Sequence, residues 1–208
     1  SLNFDLTQKN LYAPLLVGGT LHFRDAAYDP DDIVASVARL RVTWLNCTPS
    51  AFYALLETNP ERALRDLCSL RHIVLGGEPI AMSRLVAWLT APETRAQVMN
   101  SYGPTECTDV VAWYRADADA TGVPLGQAIP GVVLHVLDTD MREVPLGVPG
   151  ELWIGGACVG GGYVGDACLT AERFLPNPWS STPGARLYRS GDRVRLRDDG
   201  HLEFLGRF

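Results

Sequence analysis

The sequence has almost no lysine, and its 18 basic residues are outnumbered by 24 acidic ones. Lys9 is its single lysine, and the formal net charge is −6 with a sequence pI near 5.2. A nucleic-acid partner needs a basic stripe that displaces counterions, and an anionic membrane needs a similar surface. The charge balance therefore argues against a nucleic acid or a membrane as the main partner, although a local anion site remains possible.

Paired cysteines and long apolar runs are also missing. The five cysteines form no CxxC pair and have no histidines at ligand spacing, so we expect reduced, buried thiols and neither a zinc site nor a disulfide framework. No stretch approaches the roughly 18 apolar residues of a membrane span, and the N-terminus lacks a basic segment followed by an apolar run. We expect a cytoplasmic protein.

Residues 1–117 alternate helix-like and strand-like segments. The stretch "DPDDIVASVARLRV" and the stretches "PSAFYALLE" and "PIAMSRLVAWL" predict helices, whereas "TWLNC", "LRHIVLGG" and "AQVMNSYG" predict strands. Repeated strand, loop and helix units predict an α/β fold with a mostly parallel sheet and flanking helices. Ligands of such sheets bind at the carboxyl ends of the strands, where this sequence has Asn46, Gly76 to Glu78 and Asn100 to Glu106.

Residues 118–208 have a different texture. Short alternating runs separated by Gly, Pro and Asp predict a β-rich, barrel-like subdomain, with "DDG" at a tight hairpin turn. We place the boundary in the linker "RADADATGVPLG".

The stretch "YGPTE" combines five chemically different residues. Tyr102 offers a ring face for stacking, Gly103 permits close approach to the backbone, and Pro104 fixes the corner. Thr105 offers a hydroxyl to a phosphate oxygen, and Glu106 offers a hard oxygen ligand to Mg²⁺. The alternative from residue chemistry alone is an ordinary helix start, with Thr105 as N-cap and Glu106 in the first turn.

Seven segments in order resemble the adenylate-forming superfamily, specifically the adenylation domains of non-ribosomal peptide synthetases, over essentially all 208 residues. These segments are "LNFDLTQKNLYAPLLVGGTL", "LNCTPSAFYALL", "LRHIVLGGEPI", "NSYGPTE", "VPLGQAIPG", "VPGELWIGGACVGGGYVGDACLTAERF" and "RLYRSGDRVRLRDDGHLEFLGRF". The resemblance implies attack of an amino-acid carboxylate on the α-phosphate of ATP, giving an aminoacyl-adenylate and pyrophosphate. The acyl group would then pass to the phosphopantetheine thiol of a peptidyl carrier protein, beside neighbouring synthetase domains.

The resemblance also implies roles in nucleotide binding. Thr105 would contact phosphate and Glu106 would hold Mg²⁺, as the two catalytic residues. Asp192 would accept hydrogen bonds from the ribose hydroxyls, and Arg207 would reach the ribose or phosphate, with a plain salt bridge as its alternative. The adenine would be bound by the ring of Tyr102, the amide of Asn100, and the segment Gly76, Gly77 and Glu78.

For the amino acid, the resemblance places Asp5 against the substrate α-ammonium, and residue chemistry alone would make Asp5 a helix N-cap. The other positions that align with pocket walls are Leu6, Lys9, Asn46, Val74, Gly76, Ser101, Asp109 and Val110. The polar members favour a polar substrate side chain, unless Lys9 and Asp109 pair with one another.

Against the family pattern, the phosphate loop and the catalytic lysine of the C-terminal subdomain are absent from this sequence. We therefore expect part of the large N-terminal portion of an adenylation domain, with poor or no turnover alone because groups that stabilise the transferring phosphates are missing. Ser190 stands where threonine is usual and keeps the hydroxyl, while Gly161 replaces a common arginine without an evident reason. A related coenzyme A or aryl-acid ligase, and a non-catalytic or interrupted module, are the alternatives.

Overall fold

The computed structural model describes residues 5–23, 27–118, 120 and 122–208. The first of the seven family-like segments, "LNFDLTQKNLYAPLLVGGTL", is therefore described from Asp5 onward. Asp119 and Thr121 of the expected linker also lie outside the described residues. The chain divides into two compact units, Ser1–Asn100 with Arg115–Val123, and Ser101–Tyr114 with Pro124–Phe208. The predicted boundary between residues 117 and 118 separates two functional subdomains and is a different division from these two units. It stays a prediction.

The described residues of the first unit form five helices. These are α1 (Leu6–Leu16), α2 (Pro30–Leu40), α3 (Pro49–Glu57), α4 (Pro60–Asp66) and α5 (Val86–Leu89). Of these helices, α2, α3 and α5 alternate with strands as expected, while α1 and α4 are additional. The strands of the first sheet are β1 (Trp44–Cys47), β2 (His72–Gly76), β3 (Gln97–Tyr102), β4 (Ala112–Ala116) and β5 (Gln127–Ala128), in that spatial order. The last residues of β3 and most of β4, with β5, fall in the second unit.

Three helices of the first unit begin with the same chemistry. Each has a proline at its first position, and the residue before it caps the helix, because a side-chain oxygen accepts a free backbone N–H of the first turn. The capping residues are Asp29, Thr48 and Asn59. Local sequence therefore fixes where α2, α3 and α4 start.

The predicted strands agree with β1, β2 and β3. Strands β1 and β2 are parallel, and Ile73, Val74 and Leu75 of β2 are all buried, as expected for a parallel strand covered on both faces. The predicted helix over residues 79–89 is shorter. A 3₁₀ turn at Met82–Arg84 precedes α5, and the Leu85 N–H between them donates to the Met82 carbonyl three residues back, at 2.9 Å.

The second unit is built on an antiparallel sheet. Its further elements are β6 (Val132–Leu137), β7 (Gly150–Gly156), α6 (Ala167–Arg173), β8 (Phe174–Pro176), β9 (Arg186–Leu196) and β10 (Leu202–Arg207). The order is β10-β9-β7-β6, with β8 also paired to β9. Gly200, with φ +78°, closes the expected hairpin between β9 and β10 by donating its N–H to the Arg197 carbonyl. The α/β class with a β-rich second part is confirmed.

Two expectations drawn from absences can be compared with the structure. Among the described helices, none is long and apolar enough to cross a membrane. All five cysteines carry free thiols, and Cys107 is buried, but the expectation of burial is wrong for Cys68 and Cys168. Cys68 lies in the turn after α4, and Cys168 lies on α6, whose residues are exposed or half-buried.

We predict that Leu152→Ala destabilises the protein by about 3 kcal/mol, because Leu152 of β7 is fully buried in the core of the second unit and truncation leaves a cavity. Leu146→Ala is the matched control, because Leu146 is 56% exposed, and surface truncations stay within roughly 0.5 kcal/mol. Urea unfolding followed by tryptophan fluorescence measures both. Equal losses in the two variants would contradict this assignment of the core.

Candidate functional site

The corner after β3 depends on a close approach between two backbone segments. A Cβ atom at Gly103 would overlap the Asp109 carbonyl, and the Val111 N–H donates to the Tyr102 carbonyl at 2.8 Å. Thr108 and Asp109 turn the chain back with φ of 59° and 75°. Only glycine fits at position 103 without moving the backbone of residues 109–111.

Within this corner, residues Thr105–Cys107 form a single 3₁₀ turn. The cap position belongs to Pro104, and Thr105 is already inside the turn, so the expected alternative of Thr105 as an N-cap is wrong. The Thr105 side chain is exposed, and Glu106 is half-buried.

Tyr102 begins a hydrogen-bonded group that includes two residues of the β9–β10 ladder. Its hydroxyl donates to Oδ2 of Asp192, and Arg207 Nε lies 3.2 Å from Oδ1 of the same carboxylate. Asp192 and Arg207 are direct partners in the ladder. Burial, followed by the charge of Asp192, raises the pKa of Tyr102, so the phenol remains a donor at neutral pH.

Ser190 fixes the backbone from which Asp192 projects. Its buried hydroxyl donates to the Leu152 carbonyl at 2.7 Å and accepts the Asp192 N–H at 3.0 Å. The Ser190 carbonyl accepts a hydrogen bond from Arg207 Nη2, also at 3.0 Å. The salt-bridge alternative for Arg207 is therefore present, and it does not preclude ligand contact because this side chain is 69% exposed.

Glu106 belongs to a second polar group in the same unit. The Tyr163 hydroxyl donates to Glu106 Oε1 at 2.6 Å, and the Gly160 N–H donates to the Glu106 carbonyl at 2.8 Å. Burial opposes ionisation of the Glu106 carboxyl, but the Tyr163 hydrogen bond, with further contributions that include Tyr188 and Arg173, lowers its pKa. Glu106 is therefore anionic at neutral pH.

A cavity of about 410 Å³ opens beside this carboxylate in the second unit. It is lined by Thr105, Glu106, Gly160, Gly162, Tyr163 and Phe174. Two residues expected to act on phosphate and Mg²⁺ thus share one cavity.

In the first unit, hydrogen bonds and strand pairing connect four of the expected amino-acid contacts, Asp5, Leu6, Asn46 and Val74. Asp5 occupies the N-cap position of α1 and accepts the Leu6 N–H at 2.8 Å. Asn46 of β1 is buried, donates to the Leu6 carbonyl at 3.0 Å, and is the ladder partner of Val74. Its Oδ1 atom has no hydrogen-bond partner among the residues that the structure describes.

The remaining positions differ in exposure. Lys9 on α1 and Val110 are half-buried, whereas Gly76, Asn100, Ser101 and Asp109 are buried.

Gly77 turns the chain after β2 with φ 85°. The Glu78 carboxylate accepts the Ser50 N–H at 3.0 Å and the Ser50 hydroxyl at 2.8 Å at the start of α3. A role of this segment in binding adenine would therefore fall on its backbone.

Residue chemistry alone missed Tyr163 and Arg186. Tyr163 stands 57 positions after Glu106, in the glycine-rich stretch "GGGYVGD", and Arg186 donates to the carbonyls of Gly160 and Gly161. No local spacing reveals such contacts, and the run of three glycines was the one available signal of a tightly packed loop.

The chain is similar to known proteins in sequence and in structure. A family model described as "AMP-binding enzyme" matches residues 1–164. A dimodular non-ribosomal peptide synthase of Bacillus subtilis (strain 168) is 39% identical over 215 residues, covering 100% of this chain and 9% of the relative.

Two solved structures carry the same fold. An NRPS protein containing adenylation and PCP domains, PA1221, superposes with a TM-score of 0.88 at 28% identity, over 100% of this chain and 42% of that one. The α-methyl-L-serine-AMP-bound form of the synthetase FmoA3 gives 0.88 at 29% identity, over 100% of this chain and 24% of that one.

The chain belongs to the AMP-binding enzyme family. Within that family its similarity is to the adenylation region of non-ribosomal peptide synthetases, which confirms the resemblance seen in the seven motifs. The chain spans less than a tenth of the Bacillus relative's length.

We predict that Gly103→Ala destabilises the second unit by about 1–3 kcal/mol, because the added methyl group overlaps the backbone at Asp109. Gly161→Ala is the matched control, since a Cβ at Gly161 would lie in open space. Chemical denaturation of the two variants provides the comparison. A Gly103→Ala protein as stable as Gly161→Ala would show that the corner is not so constrained.

Proposed function

We propose that this chain is the substrate-binding part of an amino-acid-activating adenylation domain, which forms an aminoacyl-adenylate and pyrophosphate from ATP and an amino acid. The observation that carries the proposal is the hydrogen-bonded group of Tyr102, Asp192 and Arg207. It combines an oriented aromatic ring, a carboxylate and an exposed guanidinium, which are suited to a base, a ribose and a phosphate respectively.

The nucleotide roles follow from this group. The hydrogen bond from its hydroxyl to Asp192 fixes the ring of Tyr102. Stacking of a base on this ring therefore costs little side-chain entropy of the tyrosine. The Asp192 carboxylate has lone pairs beyond those used by Tyr102 and Arg207, and it accepts the ribose hydroxyls through them. In the first unit, we assign adenine contacts to Gly76, to the backbone of Gly77 and Glu78, and to the Asn100 amide.

The Glu106 carboxylate fits a Mg²⁺ ion that accompanies the ATP phosphates. Mg²⁺ takes one or two protein carboxylates and completes its octahedron with phosphate oxygens and water. Among the described residues, no group of three or more His, Cys, Asp or Glu side chains could hold a metal ion. A single anionic carboxylate lining a cavity matches that chemistry, and a bound Mg²⁺ would offset the charge that builds up on the phosphates. Thr105 contributes a hydroxyl from the same cavity wall.

For the second substrate, we propose an amino acid with a polar side chain, with Asp5 pairing its α-ammonium. Asn46 supports a polar substrate, because its buried Oδ1 lacks a partner among the described residues and an unsatisfied buried acceptor is costly. Leu6, Lys9, Val74, Gly76, Ser101, Asp109 and Val110 are the proposed pocket walls. The possible pairing of Lys9 with Asp109 stays a prediction.

The same proposal includes a partner and a location. A relative containing both adenylation and PCP domains supports a peptidyl carrier protein as acyl acceptor, with neighbouring synthetase domains in the full-length protein. We propose that the protein works in the cytoplasm, where its ATP is supplied. The activity of the 208 residues alone is expected to be low, because the family's phosphate loop and catalytic lysine are not among them.

Amino-acid-dependent ATP–pyrophosphate exchange by the full-length protein tests the function. We expect exchange with one polar amino acid and at least a ~10-fold lower kcat/KM in Asp5→Ala, because the substrate ammonium loses its charged partner. Asp140→Ala is the control, since Asp140 lies on an exposed turn with a side chain 67% exposed.

Two results would contradict this proposal. Exchange with aryl acids alone, unaffected by Asp5→Ala, would leave Asp5 as a helix cap and favour an aryl-acid or coenzyme A ligase. No exchange with any acid, from a folded protein that binds ATP, would favour a non-catalytic module.

A further inference from the structure

Tyr163 is held on several sides in the second unit. Its backbone N–H donates to Thr170 Oγ1 at 2.9 Å, and its ring meets the Phe174 ring edge to face at 5.5 Å between centroids. Its hydroxyl donates to Glu106 Oε1 at 2.6 Å. A side chain fixed at its backbone, ring and hydroxyl has little rotational freedom left, so its hydroxyl defines a position in space.

The glycine loop before Tyr163 is clamped by a single arginine. The two terminal nitrogens of Arg186 donate to the carbonyls of Gly160 at 2.8 Å and Gly161 at 3.0 Å, and the guanidinium lies over the Phe174 ring at 5.5 Å. A planar guanidinium can hold two acceptors at once in a fixed geometry, which the compact ammonium of lysine cannot reproduce.

The clamped loop also contacts the main chain of Glu106. A Cβ atom at Gly160 would lie 2.9 Å from the Glu106 carbonyl oxygen, which already accepts the Gly160 N–H. The loop therefore fixes the backbone of Glu106 through Gly160 and its carboxylate through Tyr163. Two independent bonds from one loop restrict both ends of the same residue.

We propose that Tyr163 is a positioning residue for Glu106, and that Arg186 fixes the loop from which Tyr163 acts. The inference rests on the proposed function, in which Glu106 is a Mg²⁺ ligand for the nucleotide phosphates. A carboxylate oxygen that accepts one hydrogen bond retains further lone pairs for a metal, and the bond from Tyr163 restricts the rotamers of the Glu106 side chain.

Binding of Mn²⁺ in the presence of the non-hydrolysable ATP analogue AMPCPP tests this role without requiring turnover. Electron paramagnetic resonance measures the protein-bound Mn²⁺ of the full-length protein. Residues that orient metal ligands typically contribute ~10- to 100-fold to metal affinity, so we expect at least a ~10-fold loss in Tyr163→Phe. Phe keeps the ring packed against Phe174, and the melting temperature checks that the variant remains folded.

Tyr28→Phe is the matched control. The Tyr28 hydroxyl donates to the Ala51 carbonyl at 3.1 Å in the first unit, so the change also removes one hydroxyl hydrogen bond. We expect Mn²⁺ affinity within about twofold of the original protein, as befits a surface substitution remote from Glu106 in the chain.

A double variant separates a positioning role from a structural one. If Tyr163 acts through Glu106, adding Tyr163→Phe to Glu106→Gln causes no further loss, whereas independent effects would multiply. Arg186→Lys should weaken Mn²⁺ binding in the same direction as Tyr163→Phe, and Glu106→Gln should cancel its effect too.

The outcomes distinguish this inference from the proposed function. A loss in Glu106→Gln with unchanged affinity in Tyr163→Phe, or equal further losses in the double variant, would overturn the positioning role and leave the metal ligand in place. Unchanged affinity in Glu106→Gln would overturn the metal role of Glu106 itself, and the positioning role with it.

Discussion

The site in the second unit depends on the close approach between Gly103 and the backbone at Asp109. This approach turns the chain sharply after β3, and only a residue without a Cβ atom permits it. The turn sends Tyr102 toward Asp192 on one side and presents Glu106 to the glycine loop on the other. The roles proposed for Tyr102 in base stacking and for Glu106 in metal binding thus fall on one short segment whose shape is set by steric exclusion.

Two hydrogen-bonded groups then give this segment its electrostatic character. In each group a tyrosine hydroxyl donates to a carboxylate, from Tyr102 to Asp192 and from Tyr163 to Glu106. A neutral donor fixes the carboxylate without neutralising its charge, so it remains attractive to hydroxyl groups or a cation. Arg207 pairs with Asp192 but stays largely exposed, which leaves a positive group at the open end of the ladder.

Local physical rules made much of the fold and part of the site predictable from the sequence. The apolar run of β2, the caps Thr48 and Asn59 and the turn at Gly200 are all encoded within a few residues.

Long-range contacts were not predictable in this way. Tyr163 contacts Glu106 because the fold of the second unit brings together residues that are 57 positions apart in the sequence. The predicted helix over residues 79–89 was too long because hydrophobic periodicity does not reveal the 3₁₀ turn at Met82–Arg84. Exposure of Cys68 was missed because cysteine is usually buried.

The most direct test of the account is whether Asp192 recognises the ribose hydroxyls of an adenine nucleotide. Isothermal titration calorimetry should compare AMP with 2′-deoxy-AMP for the full-length protein and for the Asp192→Ala and Asp140→Ala variants. Because hydrogen bonds to charged groups are strong, we expect AMP to bind ~10-fold or more tightly than 2′-deoxy-AMP, and we expect only Asp192→Ala to abolish that preference. Equal affinity for the two nucleotides in the original protein would contradict the assignment of Tyr102 and Asp192 as an adenosine site.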